Sequence, residues 1–334
     1  MSNSSMKALI APAADAAFEV HELPRPVPGE GQVLVRIVAA GVNPLDTKIR
    51  AGKAAHARQA LPAVLGIDLA GTVMSVGSGV TAFKPGDEVF GMAGGIGGLQ
   101  GTLAQYAAVD ERLIALKPAS LSMREAAALP LAVITAWEGL VDRAQVGPGQ
   151  TVLVQGGAGG VGHVVIQLAK ARGAQVFATG RAGQAALIEK LGATAIDYER
   201  ASVEHYVQEH TGGRGFDVLY DTVGGPSLDA SFIAARKYGG HVLSILGWGT
   251  HSLAPLSFRA ATYSGVFTLI PMLTGEGREH HGEILRAAAA LADAGLLRPI
   301  VDSRQFMFEQ ATEAHEYVAS GKTSGKVVVD IGAA

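Results

Sequence analysis

The sequence contains no cysteine. This absence excludes disulfide bonds, thiolate zinc sites, Cys-ligated iron–sulfur clusters and cysteine nucleophiles. A chain of 334 residues can build a core large enough to fold without such links. At roughly 150 residues per domain, its length predicts about two domains.

Charged residues are scarce, and neither sign dominates. They make up 17% of the chain, and 27 Lys and Arg residues against 30 Asp and Glu residues give a net charge of −3. With 48% hydrophobic residues, the composition is too apolar for a disordered chain. Because there is no excess of positive charge to attract phosphate backbones, we expect no nucleic-acid partner.

Long hydrophobic runs are also missing. The longest, at residues 126–137, is interrupted by Pro130 and Thr135 and is shorter than the ~20 residues of a bilayer-spanning helix. The opening segment MSNSSMKALI has neither the basic region nor the apolar region of a secretory signal. We therefore expect no membrane partner and a cytoplasmic location.

The first third of the chain is predicted to be rich in β-structure. Residues 33–38 alternate between two faces of a strand, and residues 69–76 form a second run rich in β-branched residues. The tetrapeptide at 84–87, KPGD, is typical of a type II turn. These patterns predict short strands connected by tight turns.

From about Thr151 onward, predicted strands alternate with predicted helices. The strands lie at 151–154, 175–179, 195–198, 216–222 and 241–246, with a sixth at 266–270, and helices lie near 161–169 and 184–191. Such alternation predicts a parallel, doubly wound sheet.

The last part of the chain continues neither pattern. It carries a predicted helix at about 283–294, a strand near Phe306, a helix at about 309–319 and a final strand at 327–330. We assign His280 and His281 to a solvated loop before the first of these helices.

A glycine-rich loop follows the strand predicted at 151–154. Gly157, Gly159 and Gly162 form the pattern G-x-G-x-x-G, and an amphipathic helix begins directly after it. In that context the glycines permit a tight turn, close approach of a pyrophosphate and close packing of the helix. The helix N-terminus then faces the anion. We interpret the loop as a dinucleotide site; the alternative is a glycine-rich turn of another α/β protein.

The end of the next predicted strand indicates which dinucleotide binds. NAD-specific sites place an acidic residue there to hold the ribose 2′-hydroxyl, whereas this chain has Gly180 followed by Arg181. A guanidinium pairs well with phosphate. We therefore predict NADPH as the cofactor; the alternative is that Arg181 is a solvated loop residue.

Further segments carry a family pattern. They are AAGVNPLDTKIRAG at 39–52, LPAVLGIDLAGTVMSVGSGV at 61–80, FKPGDEVFG, GTLAQYAAV, LPLAVITAWEGL, VLVQGGAGGVGHVVIQLAK, FDVLYDTVGG and SGKTSGKVVVD. Nearly the whole chain thereby resembles the medium-chain dehydrogenase/reductase superfamily, which is similar to the zinc-type alcohol dehydrogenases. Within it the chain looks like a zinc-independent quinone oxidoreductase, the branch that includes zeta-crystallin.

The resemblance implies an α/β fold in which a Rossmann doubly wound parallel sheet is inserted in a GroES-like β-rich domain. The expected boundaries are 1–128 for the first part of the GroES-like catalytic domain, 129–268 for the Rossmann NADPH-binding domain and 269–334 for the C-terminal part of the GroES-like domain. Relatives pair their last Rossmann strand across a two-fold axis. A homodimer formed through 266–270 is therefore expected.

The resemblance also implies cofactor contacts. Asn43 and Thr135 are expected beside the nicotinamide, and Gly157, Gly159, Gly160, Val161 and Gly162 along the pyrophosphate. Gly180, Arg181 and Tyr198 are expected at the adenosine 2′-phosphate, and Val223, Ile245 and Leu246 at neighbouring parts of the cofactor. For each of these residues the alternative is a role in packing alone.

Zinc-bearing relatives have a metal-binding Cys where this chain has Asn43, and a metal-binding His followed by Glu where it has Ile67 and Asp68. The resemblance therefore implies no metal. Without a Lewis acid, hydride transfer suits quinones and similar conjugated carbonyl acceptors, which delocalise the resulting charge.

Three residues are candidates for catalysis near this segment. Asn43 and Lys48 are expected to donate hydrogen bonds to the acceptor oxygen, and Asp46 to orient a neighbour. Relatives often carry Tyr at the position of Lys48, so the substrate itself is left open.

Two other functions remain open. One is an enoyl-thioester or alkenal double-bond reductase, although thioester-reducing relatives use a Tyr shortly after the N-P-x-D segment and no Tyr precedes Tyr106 here. The other is a non-catalytic NADPH-binding protein, either crystallin-like or a sensor.

Overall fold

The computed structural model describes residues 5–332 as two compact units. One unit contains the described residues up to Ile134 together with those from Leu269 onward, and the other is Thr135–Thr268. Residues 1–4, which belong to the segment in which no secretory signal is predicted, lie outside the described residues.

The first unit begins with eight strands and two short helices, followed by a helix that crosses into the second unit. These are β1 (Ser5–Ala11), β2 (Glu19–Pro24), β3 (Gln32–Val42), α1 (Pro44–Arg50), β4 (Ala63–Val64), β5 (Asp68–Val76), β6 (Glu88–Met92), β7 (Tyr106–Asp110), β8 (Ile114–Leu116), α2 (Met123–Ala127) and α3 (Pro130–Trp137).

The second unit alternates strands and helices. Its elements after α3 are β9 (Thr151–Gln155), α4 (Gly162–Ala171), β10 (Gln175–Gly180), α5 (Ala185–Lys190), β11 (Thr194–Asp197), α6 (Val203–Thr211), β12 (Val218–Asp221), α7 (Pro226–Ala234), β13 (His241–Ser244), α8 (Ala254–Ser257) and β14 (Thr262–Gly265).

The chain then returns to the first unit. The returning elements are α9 (Ile270–Thr274), α10 (Arg278–Asp293), β15 (Phe306–Met307), α11 (Ala311–Ala319) and β16 (Val327–Asp330).

Strand β3 organises the first unit. It pairs antiparallel with β5, β7 and β16 in a seven-stranded sheet, and a separate three-stranded sheet has the order β2-β1-β4. Gly41 of β3 lies opposite Asp68 of β5, and Val42 lies opposite Val327 of β16. This register brings three distant segments together where β3 ends and α1 begins.

The second unit is a six-stranded sheet in the order β11-β10-β9-β12-β13-β14, and every strand pair in it is parallel. The sheet grows from β9 in one direction through β10 and in the other through β12. The predicted doubly wound parallel sheet is confirmed, and its switch point lies between β9 and β12.

The position of the predicted sixth strand was wrong. The structure places that strand at Thr262–Gly265, on the edge of the sheet, and residues 266–269 lead into α9. Pro271 occupies the first turn of α9, where a proline is well tolerated, so the apolar run enters a helix instead of extending a strand. The predicted homodimer stays a prediction, and the edge strand available to it is β14.

The prediction that His280 and His281 lie in a loop was also wrong. Both residues lie in α10, and His281 is 1% exposed. His281 is followed by Ile284, Leu285 and Ala288, which are buried on the same face at helical spacing. A histidine thus occupies a core position of a helix that begins five residues before the predicted start at 283.

Within residues 5–332, no helix is long and apolar enough to cross a membrane.

Candidate functional site

Most of the predicted cofactor residues lie at the carboxyl ends of the parallel strands in the second unit. In a doubly wound sheet these ends share one edge, where ligands bind. Five segments that contain predicted cofactor residues follow strand ends directly. They are the loop after β9, Gly180 and Arg181 at the end of β10, Tyr198 after β11, Val223 after β12, and Ile245 and Leu246 after β13. The fold thus places these predicted cofactor residues, although they are far apart in the sequence, along one edge of one sheet.

The loop between β9 and α4 has no room for a side chain at Gly157 or at Gly162. A Cβ on Gly162 would lie 2.2 Å from the Gly156 carbonyl oxygen, and one on Gly157 would lie 2.6 Å from the Ala178 side chain. The Gly157 amide donates to the Thr179 carbonyl at 2.9 Å, which fastens the loop to β10. Glycine is therefore required at 162 by close backbone approach and at 157 by the Ala178 side chain.

Two amides of this loop are available to an anion. In the part of the chain that the structure describes, the backbone N–H groups of Gly160 and Val161 donate to no carbonyl. Gly159 and Gly160 are exposed, and the ten-residue helix α4 begins at Gly162. The positive end of the helix dipole and these amides fit the pyrophosphate of a dinucleotide.

The end of β10 carries Gly180 and Arg181, two of the residues predicted to contact a 2′-phosphate. A Cβ on Gly180 would lie 2.7 Å from the end of the Ile188 side chain, and glycine brings no carboxylate to this position. The exposed Arg181 donates from Nε to the Tyr198 hydroxyl at 3.3 Å and lies 3.5 Å from the Glu199 carboxylate. Arg181 and Tyr198 are therefore neighbours, as expected for two residues that contact one group.

Asp221 and Ser244 were missed at the sequence level, and they order the loops after β12 and β13. The buried Asp221 carboxylate accepts from the Val223 amide at 3.2 Å, from the Gly224 amide at 3.0 Å and from the Ser244 hydroxyl at 2.7 Å. The Ser244 hydroxyl in turn accepts from the Leu246 amide at 3.1 Å. The signal that indicates this role is a carboxylate that ends an otherwise apolar strand, VLYD.

Thr135 lies in α3, 5% exposed. Its carbonyl accepts a hydrogen bond of 2.6 Å from the Tyr220 hydroxyl. Burial raises the pKa of Tyr220 far above its ordinary value, so this hydroxyl stays a donor. The central strand β12 thereby fixes the backbone of α3 at Thr135.

A second group of predicted site residues forms a buried polar cluster within the first unit. The Asn43 side-chain amide donates to Asp68 Oδ2 at 3.0 Å, and its oxygen accepts from the Lys326 ammonium. The Asn43 backbone amide donates to Asp46 at 2.8 Å, and the Leu131 amide donates to Asp68 at 3.0 Å. Asn43, Asp46, Asp68 and Lys326 are each at most 5% exposed.

Two carboxyl groups share one ammonium in this cluster. Burial raises the pKa of Asp46 to about 7 and that of Asp68 to about 6, while the nearby Lys326 ammonium lowers both. Burial also lowers the pKa of Lys326, and the carboxylates oppose that shift. Between about pH 6 and pH 7 Asp46 is therefore mainly protonated and Asp68 mainly ionised, so that the single carboxylate balances the Lys326 ammonium.

The structure does not bring Lys48 into this cluster. Lys48 is exposed on α1, whereas Asn43 and Asp46 are buried at the start of the same helix. Sequence reasoning missed Lys326, although it lies within the family-like segment SGKTSGKVVVD. Only the pairing of β16 with β3 shows that this lysine lies beside Asn43.

No group of three His, Cys, Asp or Glu side chains suited to a metal ion occurs among the described residues. At the positions where zinc-bearing relatives have ligands, the Ile67 side chain has no donor atom. The Asn43 amide is held by Asp68 and Lys326.

Two family models match the chain. The alcohol dehydrogenase GroES-like domain matches residues 29–119, and the zinc-binding dehydrogenase model matches residues 191–329.

Curated relatives are similar over most of the chain. The sequence is 40% identical to 2-methylene-furan-3-one reductase of Solanum lycopersicum, over 90% of this chain and 72% of that protein. It is 37% identical to a chloroplastic NADPH-dependent alkenal/one oxidoreductase of Arabidopsis thaliana, with the same coverage of 90% and 72%. It is 29% identical to a quinone oxidoreductase of Pongo abelii, over 91% of this chain and 90% of that protein.

A solved structure is also similar along the whole chain. The crystal structure of an alcohol dehydrogenase superfamily protein from Novosphingobium aromaticivorans superimposes with a TM-score of 0.96 at 57% sequence identity. The match covers 98% of this chain and 100% of that chain.

Proposed function

Because the chain belongs to the medium-chain dehydrogenase/reductase superfamily, in the branch of the quinone oxidoreductases, we propose that it transfers hydride from NADPH to a conjugated carbonyl acceptor. The chain is an oxidoreductase. We propose NADPH as its cofactor and a conjugated carbonyl compound as its acceptor. The observation that carries it is the convergence of five predicted cofactor segments on the carboxyl edge of the parallel sheet.

The residues at that edge fit a dinucleotide. The loop around Gly160 and Val161 would hold the pyrophosphate through backbone amides, and Arg181 with Tyr198 would hold the 2′-phosphate. Val223, Ile245 and Leu246 would contact the parts of the cofactor beyond the pyrophosphate. When bound, the cofactor supplies the hydride, and the protein binds and orients the reactants.

Arg181 is the basis for proposing NADPH. Arg181→Ala is expected to raise the KM for NADPH about tenfold, since a hydrogen-bonded charge pair with the 2′-phosphate is lost. The KM for NADH is expected to stay unchanged because NADH lacks that phosphate. Steady-state kinetics with both cofactors measure the difference, and equal effects on the two would contradict the assignment.

The proposed acceptor is a conjugated carbonyl because of the groups available beside Asn43. Ile67 and the engaged amide of Asn43 offer no ligand set for a Lewis acid, whereas a quinone or enone delocalises the added charge by itself. One N–H of the Asn43 amide is bound to Asp68. We assign the other to the acceptor oxygen and give Asp46 a positioning role at the backbone of Asn43. Lys48 remains a proposed cationic donor from the exposed face of α1.

The names of two relatives, an enone reductase and an alkenal/one oxidoreductase, support conjugated alkenals and enones alongside quinones. NADPH oxidation should therefore proceed with 1,4-quinones, 2-hexenal or both. Hexanal is the matched control because it differs from 2-hexenal only in the conjugated double bond, and we expect at least about tenfold slower turnover with it.

Turnover confined to a crotonyl thioester would instead identify an enoyl-thioester reductase. Tight NADPH binding without turnover of any acceptor would favour a non-catalytic role.

A further inference from the structure

The segment after β13 is a loop at the carboxyl edge of the sheet. It runs from Ile245 to Leu253 and then enters α8. Trp248, near its middle, is 56% exposed, and its ring meets Phe267 edge-on with the centroids 6.4 Å apart. Since Ile245 and Leu246 begin this loop, its conformation determines how it presents them to the proposed cofactor.

His251 fastens the far side of this loop to α7. The His251 side chain is only 12% exposed. Its Nδ1 lies 2.8 Å from the Asp229 carboxylate of α7, and its Nε2 lies 3.3 Å from the Trp248 carbonyl oxygen. The ring also packs edge-on against Phe232 of α7, with the centroids 6.2 Å apart.

Both partners of the imidazole are hydrogen-bond acceptors. A carboxylate and a carbonyl can be satisfied together only when both ring nitrogens carry a proton, because neutral imidazole has a single N–H. The charged groups that act on His251 are Asp229 of α7 and Asp221 at the end of β12, and both are negative. The surroundings therefore favour the imidazolium form.

We infer that His251 is a positioning residue: as imidazolium it ties the Trp248 backbone to Asp229 and holds the loop in the conformation that receives the cofactor. This inference rests on the proposed function, since it assumes that the cofactor binds at this edge. The role that we infer for His251 is exerted through the loop and requires no contact with cofactor or substrate.

The link that His251 forms between the Trp248 backbone and Asp229, here called the tie, depends on pH in a defined direction. The hydrogen bond to Asp229 raises the pKa of His251 above its ordinary value of 6.5. The stabilisation of the loop is thus fully present below pH 6.5 and is lost as the pH rises through the raised pKa. Above it, one ring nitrogen presents a lone pair to an acceptor. We then expect the KM for NADPH to rise about fivefold, the size of one lost hydrogen bond, with a smaller change in kcat.

Trp248 reports the state of the tie directly. The chain has two Trp residues, so Trp137→Phe leaves Trp248 as the sole Trp emitter. Emission of this variant without cofactor should titrate with the pKa of His251. Adding Asp229→Asn should move the midpoint about one pH unit lower, because the negative partner is removed.

Glu209→Gln is the matched control. It removes the carboxylate 3.5 Å from His205, another histidine of the same unit, and should leave the Trp248 midpoint unchanged. In the chain with both Trp residues, the KM for NADPH should follow the same pH shift with Asp229→Asn. His251→Gln should abolish the pH dependence and keep the KM at the high-pH value, since Gln does not ionise in this range.

Equal emission midpoints in the Asp229→Asn and Glu209→Gln proteins would overturn the inference. A KM profile that ignores Asp229→Asn and His251→Gln would also overturn it, since the loop would then not position the cofactor. Failure of the unaltered protein to bind NADPH at any pH refutes the proposed function instead. The positioning role falls with it, whereas the emission midpoints still decide whether the tie exists.

Discussion

Replacing Lys326 with Met is expected to lower the free energy of unfolding by about 3 kcal/mol at pH 8. Lys326 is 5% exposed, and its ammonium is the positive charge that Asp46 and Asp68 share. Removing one partner of a buried ionic cluster leaves the remaining charges uncompensated. Met retains most of the side-chain volume. The loss in free energy of unfolding therefore measures removal of the charge and not creation of a cavity.

The loss should be smaller at pH 5. In the wild-type protein burial already raises the pKa of Asp46 to about 7 and that of Asp68 to about 6, and the variant lacks the ammonium that lowers both. A carboxyl group with a raised pKa is destabilising when the pH is high enough to ionise it in the unfolded chain. The cost therefore grows from about pH 4 upward and is fully present above the folded-state pKa.

Denaturant-induced unfolding at pH 5 and pH 8 measures this difference. Lys322→Met provides the control, because Lys322 is exposed in the loop before β16 and should change the stability by less than about 0.5 kcal/mol. A Lys326→Met protein that loses less than about 1 kcal/mol at pH 8 would show that the cluster is not ionic.

Gly162→Ala should weaken NADPH binding by about 100-fold. The new Cβ would lie 2.2 Å from the Gly156 carbonyl oxygen and 3.0 Å from Gly157 Cα. Both neighbours are backbone atoms, so the loop itself must move. The loop amides that we assign to the pyrophosphate then lose their arrangement.

Gly147→Ala tests whether this effect is specific. Gly147 precedes β9, and a Cβ there meets nothing within 4 Å. NADPH affinity, measured by titration calorimetry, should be the same for Gly147→Ala and the unaltered protein. Circular dichroism should show that Gly162→Ala remains folded. An affinity for the Gly162 variant within threefold of the unaltered protein would mean that the loop does not hold the pyrophosphate.

Local patterns allowed much of the second unit to be predicted. Strand, glycine loop and helix from Thr151 to Ala171 lie within one short segment, and the same holds for the next strand ending at Gly180. The sixth strand was misplaced because residues 266–270 are apolar enough for either a strand or the start of a helix. The strand lies at Thr262–Gly265 because those residues pair with β13, and the residues after it enter α9, whose first turn contains Pro271.

The buried cluster could not be predicted in the same way. Asn43 and Lys326 are 283 positions apart, and a lysine just before an apolar strand looks like any solvated residue. The sequence likewise gives no reason to connect Asp229 with His251, since one lies on a helix and the other in a loop beyond the next strand. Each pairing depends on which strands are neighbours in the sheet.

The amino-acid sequence alone determined the alternation of strands and helices after Thr151, the glycine loop and the absence of an acidic residue after β10, because each follows from residues close together in the chain. The tertiary structure decided which charged groups are buried together, and that the Asp221 carboxylate orders the loops after β12 and β13. The free energy of a buried charge depends on every group around it, and sheet pairing assembles those groups from distant parts of the chain.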